Sequence, residues 1–544
     1  GYFDSGSTWT TNSLTETRND DYNVTSQAIA NYMGTFGSHN LTVMAGFENY
    51  YMKSESLGAA RDKYELTGYP YLNIGSEDFQ TNSGTGSEYT SNSVFGRVIY
   101  SYADRYLFQA NVRHDGSSRF AKGYRWGTFP SFSAGWVASE EKFMKNLKWD
   151  WLSFLKLRGS WGMLGNERIG SNYFPYIALM SFGNSLFYMA DGSVVSDKTA
   201  RPAVLAVEDI TWETTTSTDL GLDVNFLNNR LQFHFDYYWK ETKDMLLNIE
   251  IPYFMGYNNP STNAGKMSTH GYDIEVAWND QIGDFKYGVN VNFSDFLSKI
   301  DYMNDGEQIS GGKIKRAGVL FNEFYGYVCE GIYQTQEEVN NSARTSTTVT
   351  VGDLKYRDIS GPDGVPDGVI SPEYDRVPLG NSLPRFQYGG SLNASYKGID
   401  FSLAFQGIGK QNSYLSTSMV QPLRDNYGNV PAILEGKYWS PFNTTEENLA
   451  AKYPRLSNVS KSNNYATSNF WMFNGSYFRL KNITLGYTLP KSWTQKAGIN
   501  RARFYVSGSD LFCLSNFPSG WDPEMGTSDY PITTSLVMGI QVNF

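Results

Sequence analysis

Apolar and polar residues change places at every step over long stretches of this chain. In the last ten positions Leu536, Met538, Ile540, Val542 and Phe544 alternate with Val537, Gly539, Gln541 and Asn543. Side chains alternate sides along an extended strand, so this spacing predicts a strand with one greasy face and one small or polar face. The pattern recurs. Leu220, Leu222, Val224 and Phe226 interleave with Gly221, Asp223 and Asn225. After the turn signal Leu227-Asn228-Asn229-Arg230, the residues Leu231, Phe233, Phe235, Tyr237 and Trp239 interleave with Gln232, His234, Asp236 and Tyr238. The stretches 155–161, 285–293 and 399–406 repeat it, with Lys156, Arg158, Asn290, Asn292, Asp400 and Gln406 on the polar side. Charges at every second position would be ruinous in a dry core but suit a face turned to water.

Walking the alternation from Tyr22 to Phe544 predicts about fifteen strands. Short connections fall near 36–40, 102–105, 227–230, 279–284 and 396–399. Long ones fall at about 54–90, 164–210, 245–266, 299–383 and 411–471. Short turns on one side and long loops on the other are the signature of an antiparallel transmembrane β-barrel. A soluble propeller or sandwich array also alternates, but it would carry a repeat of about 40–50 residues, and no such period is present. Single-chain bacterial barrels have an even strand count and end on the short-turn side. An odd count therefore predicts further strands before Gly1, and the segment reads as the C-terminal part of a larger barrel.

Composition sharpens this picture. Aromatic residues make up 16%, with 39 Tyr, 34 Phe and 13 Trp, and Tyr and Trp suit a bilayer interface. No apolar run reaches the ~20 residues of a helical span, which leaves a barrel untouched. The net charge of −10 excludes a basic nucleic-acid footprint. Cys329 and Cys513 are too few for a disulfide framework.

Four stretches carry a resemblance. They are Ser139-Glu-Glu-Lys-Phe-Met144 followed by Leu155-Lys-Leu-Arg-Gly-Ser-Trp-Gly162; Phe324-Tyr-Gly-Tyr327 leading to Gly331-Ile-Tyr333; Gly352-Asp-Leu-Lys-Tyr-Arg-Asp358 with Asp375-Arg376 and Gly380-Asn381; and Tyr477-Phe-Arg-Leu-Lys-Asn-Ile-Thr-Leu-Gly-Tyr487. Together and in this order they resemble the SusC/RagA-type TonB-dependent outer-membrane transporters of Bacteroidetes, over essentially the whole chain. The resemblance implies an all-β fold, a barrel of about 22 strands of which this sequence would supply about 15. It implies a plug domain and a TonB box that have no counterpart in 1–544. It implies outer-membrane import of oligosaccharides, or peptides, driven through TonB in complex with a SusD-like surface lipoprotein. The other readings of such a barrel are a passive porin-like channel and an outer-membrane hydrolase.

Candidate chemistry is sparse. The four His show no metal spacing, and no catalytic constellation stands out, so an enzyme is not expected. The loop holding Asp358, Asp363, Asp367 and Asp375 is dense in carboxylates, and Asp367-Gly-Val-Ile370 is similar to the centre of a calcium loop. Counted from Asp363, however, Val365 and Tyr374 occupy ligand positions. Calcium and a plain acidic turn, with Asp oxygens bonding local backbone, are both open. Trp161, Tyr173, Tyr257, Asn258, Trp439 and Trp471 lie in or beside the long connections and are the candidates for stacking on, or hydrogen bonding to, a sugar.

Overall fold

The structure, a computed structural model, describes residues 12–66, 68–147, 149–170, 172–304, 306–416, 420–423, 430, 432–526, 530 and 532–544. Fifteen strands form one sheet: β1 Ser13–Phe36, β2 His39–Asp62, β3 Gln80–Tyr102, β4 Tyr106–Ser117, β5 Trp126–Val137, β6 Leu152–Asn166, β7 Glu213–Phe226, β8 Leu231–Asn248, β9 Ser261–Ile282, β10 Phe285–Met303, β11 Arg385–Tyr396, β12 Ile399–Lys410, β13 Tyr477–Thr488, β14 Arg501–Ser515 and β15 Ser535–Asn543. Their order in the sheet is their order in the chain, which makes a meander. The strand number agrees with the sequence expectation.

The described residues fall into two compact units, one within 12–134, 160–216 and 242–265, the other within 135–159, 217–241 and 266–544. In the first unit β1 and β2 pair without a break from Ser13↔Asp62 to Phe36↔His39, and β2 pairs with β3 from Arg61↔Gln80 to His39↔Tyr102. The expected loop at 54–90 is therefore mostly strand, and only 63–79 connects β2 to β3. The halves next to the short turns carry Ile29, Tyr32, Phe47, Val94 and Val98, whereas 15–21 and 80–88 are polar throughout and 53–62 has Leu57 as its one large apolar residue. A polar strand without alternation looks like loop in sequence, yet main-chain pairing with its neighbours holds it extended.

In the second unit the register sorts side chains onto two faces. Asn290↔Ser391↔Ala404↔Asn482↔Ser509 forms one polar row, and Ser402↔Thr484↔Ser507 another. Val289↔Leu392↔Leu403↔Ile483 and Phe401↔Leu485↔Val506↔Met538 form apolar rows on the opposite side. One bulge adjusts this parity. The pairing of β13 shifts between Leu480 and Asn482, leaving Lys481 as the extra residue. Arg479, opposite Gln406, and Asn482, opposite Ala404, then share the polar face although an odd number of steps separates them. The turn between β11 and β12 needs glycine at Gly398. Its φ is +90°, and a Cβ there would stand 2.7 Å from the Thr488 carbonyl oxygen.

The longest connections, 304–384 and 411–476, fold on each other within the second unit. A four-stranded sheet (Glu307–Ser310, Lys313–Arg316, Glu323–Tyr327, Arg376–Asn381) and two strand pairs (Cys329–Ile332 with Leu354–Tyr356, Asn412–Tyr414 with Met472–Asn474) build this loop assembly. Tyr327, Leu354, Tyr356 and Ile370 make one core, and Tyr333, Val339 and Val349 another. In the first unit the 167–212 connection carries the hairpin Met180–Tyr188 with Val194–Pro202.

Candidate functional site

The polar face of the sheet is laced with arginines, each held by carboxylates from other positions. Arg158 on β6 donates through Nε to Asp223 at 3.1 Å and through Nη2 to Asp236 at 2.6 Å. His234 Nδ1 lies 3.0 Å from Asp223. Gly221 leaves the room: a Cβ there would come within 2.4 Å of the Arg158 Cζ. Arg385 grips the buried Asp295, with Nη2 at 2.5 Å, and the Phe386 N–H also donates to that carboxylate at 3.2 Å. Arg503 donates to Asp400 at 2.9 and 2.5 Å. Arg479, only 3% exposed, reaches Asp522 at 2.6 Å and Glu524 at 2.6 Å. In the other unit Arg113 donates to Asp115 at 2.7 Å, Glu48 at 3.1 Å and Ser93 at 2.8 Å. Bidentate guanidinium–carboxylate geometry fixes both partners. Between these pairs lie neutral amides and hydroxyls. One groove of about 520 Å³ is lined by Asn290, Asn292, Gln387, Gln406 and Tyr477 over Gly389. This face can hydrogen-bond neutral polar matter along its length.

The six residues expected to meet a ligand have different fates. Tyr173 stands at the first unit's loop side, where the Arg119 guanidinium lies 4.4 Å from its ring centre and 5.3 Å from that of Tyr89. Arg119 also donates to the Gly170 and Asn172 carbonyls, and the Tyr89 hydroxyl donates to Glu167. Tyr257 is half-buried and Asn258 exposed, with the Asn258 N–H donating to the Ala203 carbonyl at 2.9 Å beside the hairpin. Trp161 stacks on Phe132 at 6.1 Å and shares the strand face of Leu155 and Leu157. Strand parity puts it on the apolar stripe, away from Lys156 and Arg158. Trp439 and Trp471 are core residues. The Trp439 ring packs on Gly352, where a Cβ would come within 2.3 Å of it. Trp471 is fully buried and donates its indole N–H to the Asn464 carbonyl at 2.7 Å. With ring faces covered and N–H satisfied, neither has a surface to offer a sugar.

The acidic loop turns three of its carboxylates onto backbone N–H groups. Asp375, fully buried, accepts from the N–H groups of Ile359 (2.7 Å), Ser360 (3.2 Å) and Ser371 (2.7 Å). Asp358 accepts from Gly368 N–H at 2.7 Å and Asp367 from Val369 N–H at 2.9 Å, while Asp363 is exposed. Among the described residues no group of three or more His, Cys, Asp or Glu is placed to hold a metal ion.

Two clusters were missed in the sequence. One is the Arg479–Asp522–Glu524 clamp, signalled only by two carboxylates two residues apart in the 516–534 connection. The other surrounds Asp353, 0% exposed, which accepts from Arg455 Nε at 2.7 Å, Ser460 Oγ at 2.8 Å, Asn464 Nδ2 at 3.0 Å and the Thr350 N–H at 2.9 Å. Nearby, burial pushes the Cys329 thiol up to about 11, which favours its neutral form.

Comparison with known proteins follows the same lines. The family described as TonB dependent receptor-like, beta-barrel matches residues 1–507. TonB-dependent receptor P3 of Formosa agariphila is 30% identical over 560 aligned residues, covering 96% of this chain and 52% of its own length. TonB-dependent receptor SusC of Bacteroides thetaiotaomicron is 28% identical over 538, covering 96% and 50%. The chain thus spans about half the length of the curated relatives it matches. Among solved structures, that of the RagAB peptide transporter superposes with a TM-score of 0.79 at 24% identity, over 97% of this chain and 56% of the other.

Proposed function

Because this chain belongs to the TonB-dependent receptor β-barrel family, in its SusC/RagA branch, we propose that the complete protein imports an oligomeric nutrient, a glycan, across the outer membrane. The observation that carries the reading is the fifteen-strand meander with one apolar face, one polar face and folded assemblies in its long connections. In this reading the apolar rows meet lipid, the arginine-laced face lines the lumen, and strands preceding β1 complete a barrel of about 22. A plug and TonB box preceding them would couple import to the inner membrane, since no ATP is available outside. The amide-lined lumen suits neutral hydroxyl-rich cargo. A peptide cargo is the second reading, favoured by the fold likeness to the RagAB peptide transporter.

A SusD-like lipoprotein would cap the long-loop side. The hairpin of the first unit supports this, because register places Met180, Phe182, Leu186, Tyr188, Val194 and Ala200 on one face, with Phe182 81% and Tyr188 84% exposed. The test is genetic. Cells lacking the gene should lose growth on one polymeric carbon source and regain it only with an intact TonB box. Regained growth without that box would make the protein a passive pore.

A further inference from the structure

The outward apolar rows are not uniform. At the short-turn end of β12–β15 they open into a groove of about 810 Å³ lined by Ile399, Leu485, Tyr487, Phe504, Val506, Met538 and Ile540. Register explains it. Ile399↔Tyr487↔Phe504↔Ile540 and Phe401↔Leu485↔Val506↔Met538 are adjacent rows on one face. Leu485, Met538 and Ile540 are 56%, 73% and 64% exposed. Ile399 opens β12, and Tyr487 lies one residue before the end of β13. The groove therefore occupies the membrane leaflet nearest the short turns, since a strand crosses in ~9–11 residues.

Its end is basic. The connection from β13 to β14 joins the two strands at the groove's centre, and its first residue is tied back by the Leu489 N–H to the Ala502 carbonyl at 2.9 Å. That connection, Leu489-Pro-Lys-Ser-Trp-Thr-Gln-Lys-Ala-Gly-Ile-Asn500, carries Lys491 and Lys496 and no carboxylate. Trp493 within it is 65% exposed, an interfacial ring beside the cations. Lys397, close to the groove's Ile399, adds a third cation, 3.9 Å from the Asp284 carboxylate, which is 69% exposed.

We infer that this groove holds one phospholipid with an anionic headgroup, its acyl chain along the two apolar rows and its phosphate at Lys491 and Lys496. The charge pattern selects this occupant. Hydrocarbon alone would fill the groove from any lipid, but a connection that leaves its end with two lysines and no Asp or Glu in its sequence favours negative charge. The inference rests on the membrane-spanning reading above.

The test is native mass spectrometry of the complete purified protein titrated with phosphatidylglycerol or phosphatidylcholine of the same chains. One phosphatidylglycerol should bind in preference. A lysine near a surface is worth about fivefold in affinity for anionic lipid, so Lys491→Gln with Lys496→Gln should reduce the preference about 25-fold. Leu485→Trp with Val506→Trp should fill the groove and abolish the bound lipid. Equal binding of the two lipids, or unchanged binding by the filled variant, would overturn the proposal. Outer-membrane fractionation of each variant runs alongside. Absence of the native protein from that fraction would overturn the membrane reading itself.

Discussion

Asp353 shows what a single residue does here. It is a fully buried carboxylate with its side-chain partners on the second long connection, 102 to 111 residues away. Removing one member of a buried ion pair strands the other and costs ~3–5 kcal/mol. Asp353→Ala should therefore loosen the loop assembly by about that much while the sheet stays folded. Hydrogen exchange at 329–356 and 455–471 should speed up, with the strand amides unchanged. The sequence offered no sign of this role, because nothing local marks an Asp whose partners are so distant. Separation along the chain also hid the Arg479 clamp, whose carboxylates lie 43 and 45 residues on. It also misplaced Trp439 and Trp471: a Trp in a long connection looks available until the connection is found to have a core.

At the level of elements, parity made the strands legible. Leu220 to Phe226 and Leu231 to Trp239 announce themselves because one face is apolar and the other wet. The stretch 15–21 does not, being polar on both faces. The Lys481 bulge was equally invisible, since an alternation read by eye slips past one extra residue. Deleting Lys481 should remove the bulge and leave Arg479 and Asn482 two steps apart, both still on the polar face. The heat-modifiable folded band should therefore persist on cold gels. Its loss would show that assembly needs the bulge itself, through the aim of Arg479 at Asp522 and Glu524.

The short helix Gln336–Asn340 should respond to pH. Thr335 caps it by accepting from the Glu338 N–H at 3.2 Å, and the Glu338 carboxylate accepts from Gln334 N–H at 2.9 Å and from Lys355 at 3.1 Å. Burial pushes this carboxyl up, but the Gln334 and Lys355 bonds outweigh it and hold the group below its ordinary range. A depressed carboxyl contributes stability present above its unfolded value of about 4.3 and lost as pH falls through its lower folded value. Amide protection at 334–339 should therefore drop below about pH 4, and Glu338→Gln should flatten that dependence.

At the scale of the whole molecule, the two longest connections act as one body. The bridge Tyr327↔Ser468 and the bond from Cys329 N–H to Asn469 Oδ1 at 2.7 Å join them across the β11–β12 hairpin. Protease has an obvious entry at Phe442, which is 95% exposed. A cut there should leave both pieces together on a native gel and separate them only after denaturation. Pieces that part without denaturant would show that the buried network is weaker than its geometry requires.

The meander also has a history in time. Each two-residue turn, such as Gly283-Asp284 or Lys397-Gly398, can close within microseconds once its two strands are free to meet. The connection from Met303 to Arg385 closes at a cost about 3 kcal/mol greater, by the logarithm of loop length. β9–β10 and β11–β12 should then form first as separate hairpins on one tether. They meet only when the tether has folded its own core, so the slow step of assembly falls at the β10–β11 seam. Until that step both hairpins carry unpaired edges, and it is there that a periplasmic chaperone has most to protect.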